Sequence, residues 1–246
     1  MSILTNLKDG LKKVLVHSPI ALTKNMLYDQ QTRKIFSRVL QKDSNCIDVG
    51  CHTGEIMDLI LQHAPLGHHF GFEPLPHLNA HLHEKYSAND NITIHDCALS
   101  NVAEQEVSFN YVVSNPAYSG LQKRAYAKAN EEMRQITVQT AMLDHLIPDD
   151  LPIDLVKIDV EGGEMLVLEG ATDLIKRNQP YVIFEHGLGA ADYYGTRPEQ
   201  VFDYFDRAKM QLSTLGRFLQ DATPLTKADF VQQFDEHKNY YFIAHP

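Results

Sequence analysis

Three acidic residues, Asp48, Glu73 and Asp96, stand in or just after successive β-favouring runs of the sequence. A carboxylate at the end of a strand can accept hydrogen bonds from ribose hydroxyls, and Glu73 follows Asp48 at the distance typical of the ribose-binding acid. Asp96 is placed to accept a bond from an adenine amino group, and Asp48 to hold a turn or receive an ammonium group. Each acid alone also fits a capping or surface role. Because all three coincide with strand ends, the pattern favours a nucleoside-binding site.

The turn after the first run contains Gly50 and Gly54, separated by Cys51, His52 and Thr53. Glycine has no Cβ, so the backbone of such a turn can approach a ligand closely. The helix expected after Gly54 would point free N–H groups at a bound carboxylate. The glycine spacing alone is weakly specific, but together with the acids it predicts ligand contacts at Gly50, His52 and Gly54.

A second set of reactive side chains follows two later apolar runs. Asp159 and Glu161 come after residues 153–158, and Glu185 and His186 come after residues 181–184. A base at such a position can take the proton of an alcohol, and histidine has the pKa suited to this at neutral pH. We expect Asp159 or His186 to be the base and Glu161 and Glu185 to position the substrate or shape the loop. The alternative for Glu161, and more so for Glu164, is to accept backbone N–H bonds around the following glycines.

Metal binding is a weaker alternative for the same acids. Asp159, Glu161 and Glu185 offer the oxygen ligands that magnesium prefers, so a divalent metal is conceivable there, although none is predicted. His77 and His81 are four residues apart on an expected helix. No further ligand converges on them from the sequence, and a surface helical face is the favoured interpretation.

The elements that must position these residues alternate along the chain. Strand-like runs at 46–49, 68–73, 91–96, 153–158 and 181–184 alternate with helical spacing, as at 74–86 and in one long amphipathic helix at 164–176. Such alternation predicts an α/β fold with a doubly wound, mostly parallel sheet covered by helices on both faces. The tail predicts four further elements: a helix over residues 198–210, a strand over 212–219, a capped helix start at 226–229 and a last strand over 240–244.

Two regions fall outside that alternation. Residues 1–45 have helical spacing and are expected to form an N-terminal helical extension to a domain spanning 46–246. Between the possible strands 107–113 and 136–140, residues 114–135 are polar and irregular, with Tyr118, Lys123, Arg124 and Tyr126 among them. Long excursions in small domains are commonly functional, so we expect a lid over the substrate here, with a plain solvated loop as the alternative.

Composition narrows the classes of partner. The 246 residues carry a net charge of −10, which disfavours nucleic acid as a general partner. Three cysteines without a Cys-x-x-Cys pair indicate reduced thiols rather than a disulfide framework or a structural zinc site. The sequence has no secretory pattern at its start and no apolar run long enough to span a membrane, so we expect a cytoplasmic protein with no membrane partner.

The motifs together resemble a known family. The first motif, which resembles motif I of class I methyltransferases, is Ile47-Asp-Val-Gly-Cys-His-Thr-Gly54. Three further segments are similar to segments of the FkbM family of S-adenosylmethionine-dependent methyltransferases: Gly71-Phe-Glu-Pro74, Cys97-Ala-Leu-Ser100 and Leu155-Val-Lys-Ile-Asp-Val-Glu-Gly-Gly-Glu164. The resemblance covers roughly residues 45–187. It implies a seven-stranded sheet, S-adenosylmethionine as cofactor, and O-methylation of a sugar or secondary metabolite. It further implies cofactor contacts at Pro74, Cys97, Ala98 and Asp159. Cys51-His52 departs from the Ala-Asn common in the family.

Other functions remain as alternatives. An NAD-dependent dehydrogenase would also use Glu73, but the chain lacks Gly-x-Gly-x-x-Gly and a Tyr followed four residues later by Lys. A cofactor-binding protein that has lost catalysis and serves as a partner subunit is the second alternative, against which the acids after residues 158 and 184 argue mildly. The sequence thus favours a methyltransferase acting on a small-molecule hydroxyl, with a homodimer as one possible assembly.

Overall fold

The structure is a computed structural model and describes residues 21, 23–124 and 132–246. The strands of this part are β1 (Cys46–Val49), β2 (His69–Phe72), β3 (Ile92–His95), β4 (Cys97–Leu99), β5 (Glu106–Val112), β6 (Met133–Ala141), β7 (Leu155–Ile158), β8 (Tyr181–Glu185), β9 (Gln211–Thr214) and β10 (Tyr241–His245). Its α-helices are α1 (Lys24–Val39), α2 (Glu55–His63), α3 (Pro76–Lys85), α4 (Leu143–Leu146), α5 (Glu164–Glu169), α6 (Thr172–Asn178), α7 (Pro198–Arg207), α8 (Leu215–Leu219) and α9 (Lys227–Asp235).

Seven of these strands form one sheet in the order β3-β2-β1-β7-β8-β10-β9. β1 pairs in parallel with β2 on one side and with β7 on the other, and β10 is antiparallel to both β8 and β9. All four residues of β1 and of β7 are buried, as expected of strands with helices over both faces. The predicted doubly wound, mostly parallel sheet is therefore confirmed. The strand order reverses at β1, where ligands bind in such sheets.

Alternate residues of each central strand supply two separate cores. Ile47 and Val156 face the core on the side of helices α5, α6 and α7, whereas Cys46 and Leu155 face the core shared with α1 and α2. Full burial of an aliphatic side chain of this size stabilises the fold by about 1.5–3 kcal/mol. The two cores fix the position of the sheet, and with it the edge where the strands end.

A second, three-stranded sheet with the order β4-β6-β5 lies beside the carboxyl ends of the main strands. Residues 107–113 and 136–140 were expected to be strands, and β5 and β6 confirm this. The sequence did not indicate that they pair with each other and with β4 in a sheet of their own. This small sheet supplies the wall that carries Cys97 and Ala98.

Two expected elements are corrected. The single helix expected over 164–176 is two helices, α5 and α6, which meet at Gly170; a Cβ there would lie 2.1 Å from the carbonyl oxygen of Ser100, so the chain is packed too tightly for a side chain. The strand expected over 212–219 ends at Thr214, whose hydroxyl accepts a hydrogen bond from the Arg217 amide and caps α8. The capped start expected at Thr226 is confirmed by a capping box with Asp229.

Residues 1–20 and 22 of the expected N-terminal extension lie outside the described residues, and its described part contains α1. Thr23 caps α1, and Lys24 donates hydrogen bonds to the carbonyl oxygens of His237 and Lys238. Ile35 of the same helix is fully buried in the core shared with α2. α1 is thereby packed against both the main sheet and the segment that leads into β10. No helix among the described residues is long and apolar enough to cross a membrane.

Candidate active site

A cavity lies beyond the carboxyl ends of β1, β2 and β7, between the main sheet and the small one. Its space, including the open mouth, is about 630 Å³, which is in the usual range for a site that holds a small molecule. The turn after β1, the end of β2, the strand β4, the loop after β7 and the segment 116–121 all contribute to its walls. The residues that line it include Gly50, His52, Glu73, Pro74, Leu75, Cys97, Ala98, Leu99, Phe109, Gly120, Asp159, Glu161 and Tyr194.

The turn after β1 is packed directly onto the exit of β7. Gly50 has φ +85°, and a Cβ at this position would lie 2.0 Å from the carbonyl oxygen of Asp159. His52 follows with φ +49°, an uncommon conformation for a residue with a side chain, and its position borders the cavity. Gly54 begins α2 and does not line the cavity; its carbonyl oxygen accepts a hydrogen bond of 2.8 Å from the hydroxyl of Tyr86. The expected contacts at Gly50 and His52 are thus brought to the cavity, and Gly54 anchors the turn.

Glu73 is held at the end of β2 by the backbone of two neighbouring turns. One carboxylate oxygen accepts from the amide of His52 at 2.9 Å and the other from the amide of Leu75 at 3.0 Å. The side chain is buried, and burial raises the pKa of Glu73 to about 7. Each oxygen has a further lone pair. The carboxyl group is therefore fixed in place and can still bind a pair of ligand hydroxyls.

Asp48 lies one layer behind the cavity, inside the sheet. It is buried, it does not line the cavity, and its Oδ2 atom has no hydrogen-bond partner. The thiol of Cys51 donates to its backbone carbonyl at 3.2 Å, and burial raises the pKa of the carboxyl group to about 6. Of the two roles expected for Asp48, the position next to the turn fits the first, which is to hold the turn.

The acids after β7 differ from one another in their partners. Asp159 accepts hydrogen bonds on Oδ2 from the ammonium of Lys157, at 3.1 Å, and from the hydroxyl of Tyr241. Burial opposes its ionisation, but the charge of Lys157 and these two hydrogen bonds outweigh it, so that the pKa of Asp159 lies below its usual value. Glu161 has φ +59° and forms an ion pair with Arg124. Glu164 does not line the cavity.

Glu164 has the structural role considered for it. Its Oε1 atom accepts from the amides of Val160 and Gly162, each at 3.1 Å, and so closes the turn after β7. Burial raises the pKa of Glu164 to about 7. The same role does not apply to Glu161, whose carboxylate pairs with a cation at the cavity wall instead.

Part of the excursion expected to be a lid lines the cavity. The segment 116–121 lines it, Arg124 lies with its guanidinium carbon 5.1 Å from the ring centre of Tyr118, and the amide of Gln122 donates to the hydroxyl of Tyr194 at 3.0 Å. Together with the pair of Arg124 and Glu161, these contacts join the segment to the loops after β7 and β8. Tyr126, also expected in the lid, lies outside the described residues.

Three more expected site residues, like Asp48 and Gly54, do not line the cavity. Asp96 is exposed between β3 and β4, because β4 begins at once and turns the chain into the small sheet. His186 is buried, and its ring stacks on the rings of Phe230 and Phe234 at centroid distances of 5.9 and 4.8 Å. Burial lowers the pKa of His186 to about 4, so the assignment of His186 as the base is not supported by its surroundings. Glu185 borders Asp159 without lining the cavity, and burial and the charge of Asp159 raise its pKa to about 8.

Comparison with known proteins decides the family. Residues 48–218 match the model of the methyltransferase FkbM domain, which is more than half of the chain. The chain belongs to the FkbM methyltransferase family. A search among curated proteins finds no significant match.

One solved methyltransferase with a TM-score of 0.50 shares the fold of this family member, and two others align with it at lower scores. A methyltransferase FkbM from Methylobacillus flagellatus KT aligns with a TM-score of 0.50 at 13% identity, over 95% of this chain and 57% of that one, so the chain spans little more than half of that protein. A putative rRNA methylase from Clostridium thermocellum aligns with a TM-score of 0.48 at 10% identity, over 92% and 96% of the two chains. A putative methyltransferase from Streptococcus mutans, solved in complex with SAH, aligns with a TM-score of 0.45 at 9% identity, over 87% and 94%. At 13% identity the likeness to the Methylobacillus flagellatus protein concerns the fold alone.

Sequence reasoning missed two tyrosines of this family member. Tyr194 lines the cavity against Gly163, and Tyr241 donates a hydrogen bond to Asp159. Tyr241 stands in an apolar strand, where its pattern is that of a core residue, and Tyr194 belongs to a loop without a motif. Among the described residues no group of three or more His, Cys, Asp or Glu side chains has the geometry to hold a metal ion.

Proposed function

We propose that this methyltransferase transfers a methyl group from S-adenosylmethionine to a hydroxyl group of a small molecule. The observation that carries the proposal is the pair of carboxylates in one cavity: Glu73 at the end of β2 and Asp159 at the end of β7 both line it, with Gly50 between them. One acid suits the ribose of the donor, and the other stands where the acceptor would meet the methyl group.

The walls of the cavity fit the parts of the donor. The carboxyl group of Glu73 matches the two hydroxyls of a ribose. Leu75, Ala98 and Leu99 offer an apolar surface of the kind that an adenine ring covers. The backbone at Gly50 lines the cavity, because the absence of a side chain lets the turn pack against the Asp159 carbonyl, and it would meet the methionine portion. The residues present therefore fit S-adenosylmethionine.

S-Adenosylmethionine, when bound, supplies an electrophilic methyl group whose bond to sulfur breaks with both electrons remaining on sulfur. The work of the protein is then to align the acceptor and exclude water. Asp159 is ionised at neutral pH and is placed to accept the hydrogen bond of the acceptor hydroxyl, whose oxygen forms the new bond to carbon. As that bond forms, the hydroxyl proton passes to Asp159 or through it to solvent.

A small acceptor is favoured by the enclosure of the site. The segment 116–121 forms one wall of the cavity, and Arg124, which follows that segment, pairs with Glu161 next to the proposed reaction centre. The chain carries a net charge of −10, which repels a phosphate backbone. These features support a sugar or secondary metabolite rather than nucleic acid as the acceptor.

The donor site is tested with a charge-removing variant and a matched control. Glu73→Gln removes a charged hydrogen-bond acceptor for the ribose, a loss of about 1.5–3 kcal/mol or about 10- to 100-fold in Kd. Asp96→Asn makes the same chemical change on an exposed acid at the end of the next strand, and we expect it to leave the Kd unchanged within about twofold. Titration calorimetry with S-adenosylmethionine measures both.

Two outcomes contradict the proposal. Tighter binding of NAD than of S-adenosylmethionine in the same calorimeter would indicate a dehydrogenase. Binding of S-adenosylmethionine without methylation of any member of a panel of hydroxylated sugars and secondary metabolites, followed by mass spectrometry, would favour the donor-binding partner subunit. A product heavier by one methyl group that is absent with Asp159→Ala supports the proposed chemistry.

A further inference from the structure

The carboxylate of Asp159 is held from one side by residues of two other positions in the sheet. Tyr241 Oη and Lys157 Nζ both donate to Oδ2. The Lys157 ammonium also lies 4.7 Å from the centre of the Tyr241 ring, so the two donors are fixed relative to each other. Both hydrogen bonds that the described residues donate to Asp159 end on this one oxygen, which leaves Oδ1 for a ligand in the cavity.

The two donors stand on rigid elements. Lys157 belongs to β7, and its side chain is only 3% exposed. Tyr241 is the first residue of β10 and is paired in register with Glu185 of β8, and its ring packs at 5.1 Å from the ring of Tyr28 on α1. The side chain of Asp159, in contrast, is 33% exposed. A loop carboxylate that reaches the cavity is thus held by a nearly solvent-free lysine and a half-buried tyrosine, both on strands.

We infer that Tyr241 is a positioning residue, which together with Lys157 fixes the orientation of Asp159 so that Oδ1 faces the acceptor. The inference rests on the proposed function for its effect on methyl transfer, but the clamp itself is a property of the free protein. A side chain held this way loses little freedom when the acceptor binds, and a misplacement of about 1 Å at a reacting group lowers turnover by about 100-fold. The burial of the Tyr241 hydroxyl raises its pKa well above the usual value, so it stays protonated and remains a donor.

Several ionisable groups from other elements also act on Asp159. They are the cations Lys157 and Arg124, the acids Asp29, Asp48, Glu164 and Glu185, the hydroxyl of Tyr241 and the imidazole of His52. The two cations and the hydroxyl favour the ionised aspartate, whereas the acids disfavour it. Removal of the Tyr241 hydroxyl should therefore raise the pKa of Asp159.

Tyr241→Phe removes the hydroxyl and keeps the ring that Lys157 and Tyr28 contact. We expect an unchanged Tm within about 3 °C, an unchanged Kd for S-adenosylmethionine, and a kcat that falls roughly 10- to 100-fold. The matched control is Tyr240→Phe, because the neighbouring hydroxyl bonds to Asn25 and not to Asp159. The control should retain the kcat of the unmodified protein.

A second measurement needs neither donor nor acceptor. Carboxyl-labelled aspartate, assigned by its loss in Asp159→Asn, reports the titration of Asp159 by NMR in the free protein. We expect its apparent pKa to rise by about one pH unit in Tyr241→Phe and to stay in place in Tyr240→Phe. An unchanged titration in Tyr241→Phe overturns the inference, whatever the activity.

The two readouts separate this inference from the proposed function. A raised Asp159 pKa in a protein that methylates none of the tested acceptors supports the clamp and counts against the function. Methyl transfer that is equally fast in Tyr241→Phe and in the unmodified protein contradicts the positioning role while the function stands.

Discussion

The contact between Gly50 and Asp159 predicts that a single methyl group will damage both the stability and the chemistry of the site. In Gly50→Ala the new Cβ would lie 2.0 Å from the Asp159 carbonyl oxygen, so the two backbones must separate by about 1 Å to reach even a tight contact of 3.0 Å. The left-handed conformation at φ +85° costs an alanine about 1–2 kcal/mol. Overpacking against a backbone atom adds about 1–3 kcal/mol. We therefore expect a loss of about 2–5 kcal/mol in the free energy of unfolding.

Gly195→Ala is the matched control for this substitution. Gly195 has φ +69°, but a Cβ there meets nothing within 4 Å, so only the conformational cost of about 1–2 kcal/mol applies. Urea denaturation of both variants, analysed for midpoint and slope, measures the difference. Because Asp159 is displaced in Gly50→Ala, the kcat of this variant should also fall by about 100-fold, whereas the kcat of Gly195→Ala should not fall. Equal losses of stability in the two variants would refute the assignment of a close packing contact.

Two further predictions concern the cover of the cavity and its buried acids. Arg124→Met breaks the ion pair with Glu161, in which the two side chains are only 15% and 13% exposed. We therefore expect chymotrypsin to cleave this variant faster at Tyr118. The control is Arg134→Met, which breaks an exposed ion pair and should be cleaved at the rate of the unmodified protein. Burial first, and then its acidic neighbour, raises the pKa of Glu185 to about 8 from an ordinary value of 4.5. Between pH 4.5 and about 8 the folded protein therefore holds a proton there that the unfolded chain has released, so the Tm should fall as the pH rises through this range. Glu185→Gln should flatten that fall, and an unchanged slope would contradict the raised pKa.

The central part of the fold could be predicted because its signals are local. The apolar run 46–49 followed by glycines, and the run 153–158 followed by acids, each appear in the structure as a buried strand that ends at the cavity. Glu73 could be found in the same way, since its position depends only on the strand that precedes it. Gly50 follows from the need for a turn that a Cβ would obstruct.

The remaining errors come from contacts between distant segments. His186 follows a strand, as a catalytic base would, but Phe230 and Phe234 of α9 pack on its ring. The sequence around residue 186 does not predict these contacts. Asp96 ends a strand as well, yet the small sheet begins one residue later and leaves its side chain in solvent. Tyr241 was overlooked for the opposite reason: its strand has the pattern of a core element, and only the strand order brings its hydroxyl to Asp159.

β10 lies between β8 and β9 in the sheet but is synthesised after both of them. Asp159 is made 82 residues before Tyr241, which at synthesis rates of 5–20 residues per second is an interval of about 4–16 s. During that time Gly50, Glu73 and β7 have already been synthesised, while the hydroxyl that fixes Asp159 has not. The residues proposed to bind the donor are therefore synthesised before the hydroxyl proposed to position Asp159, and the proposed clamp is complete only once Tyr241 has been made.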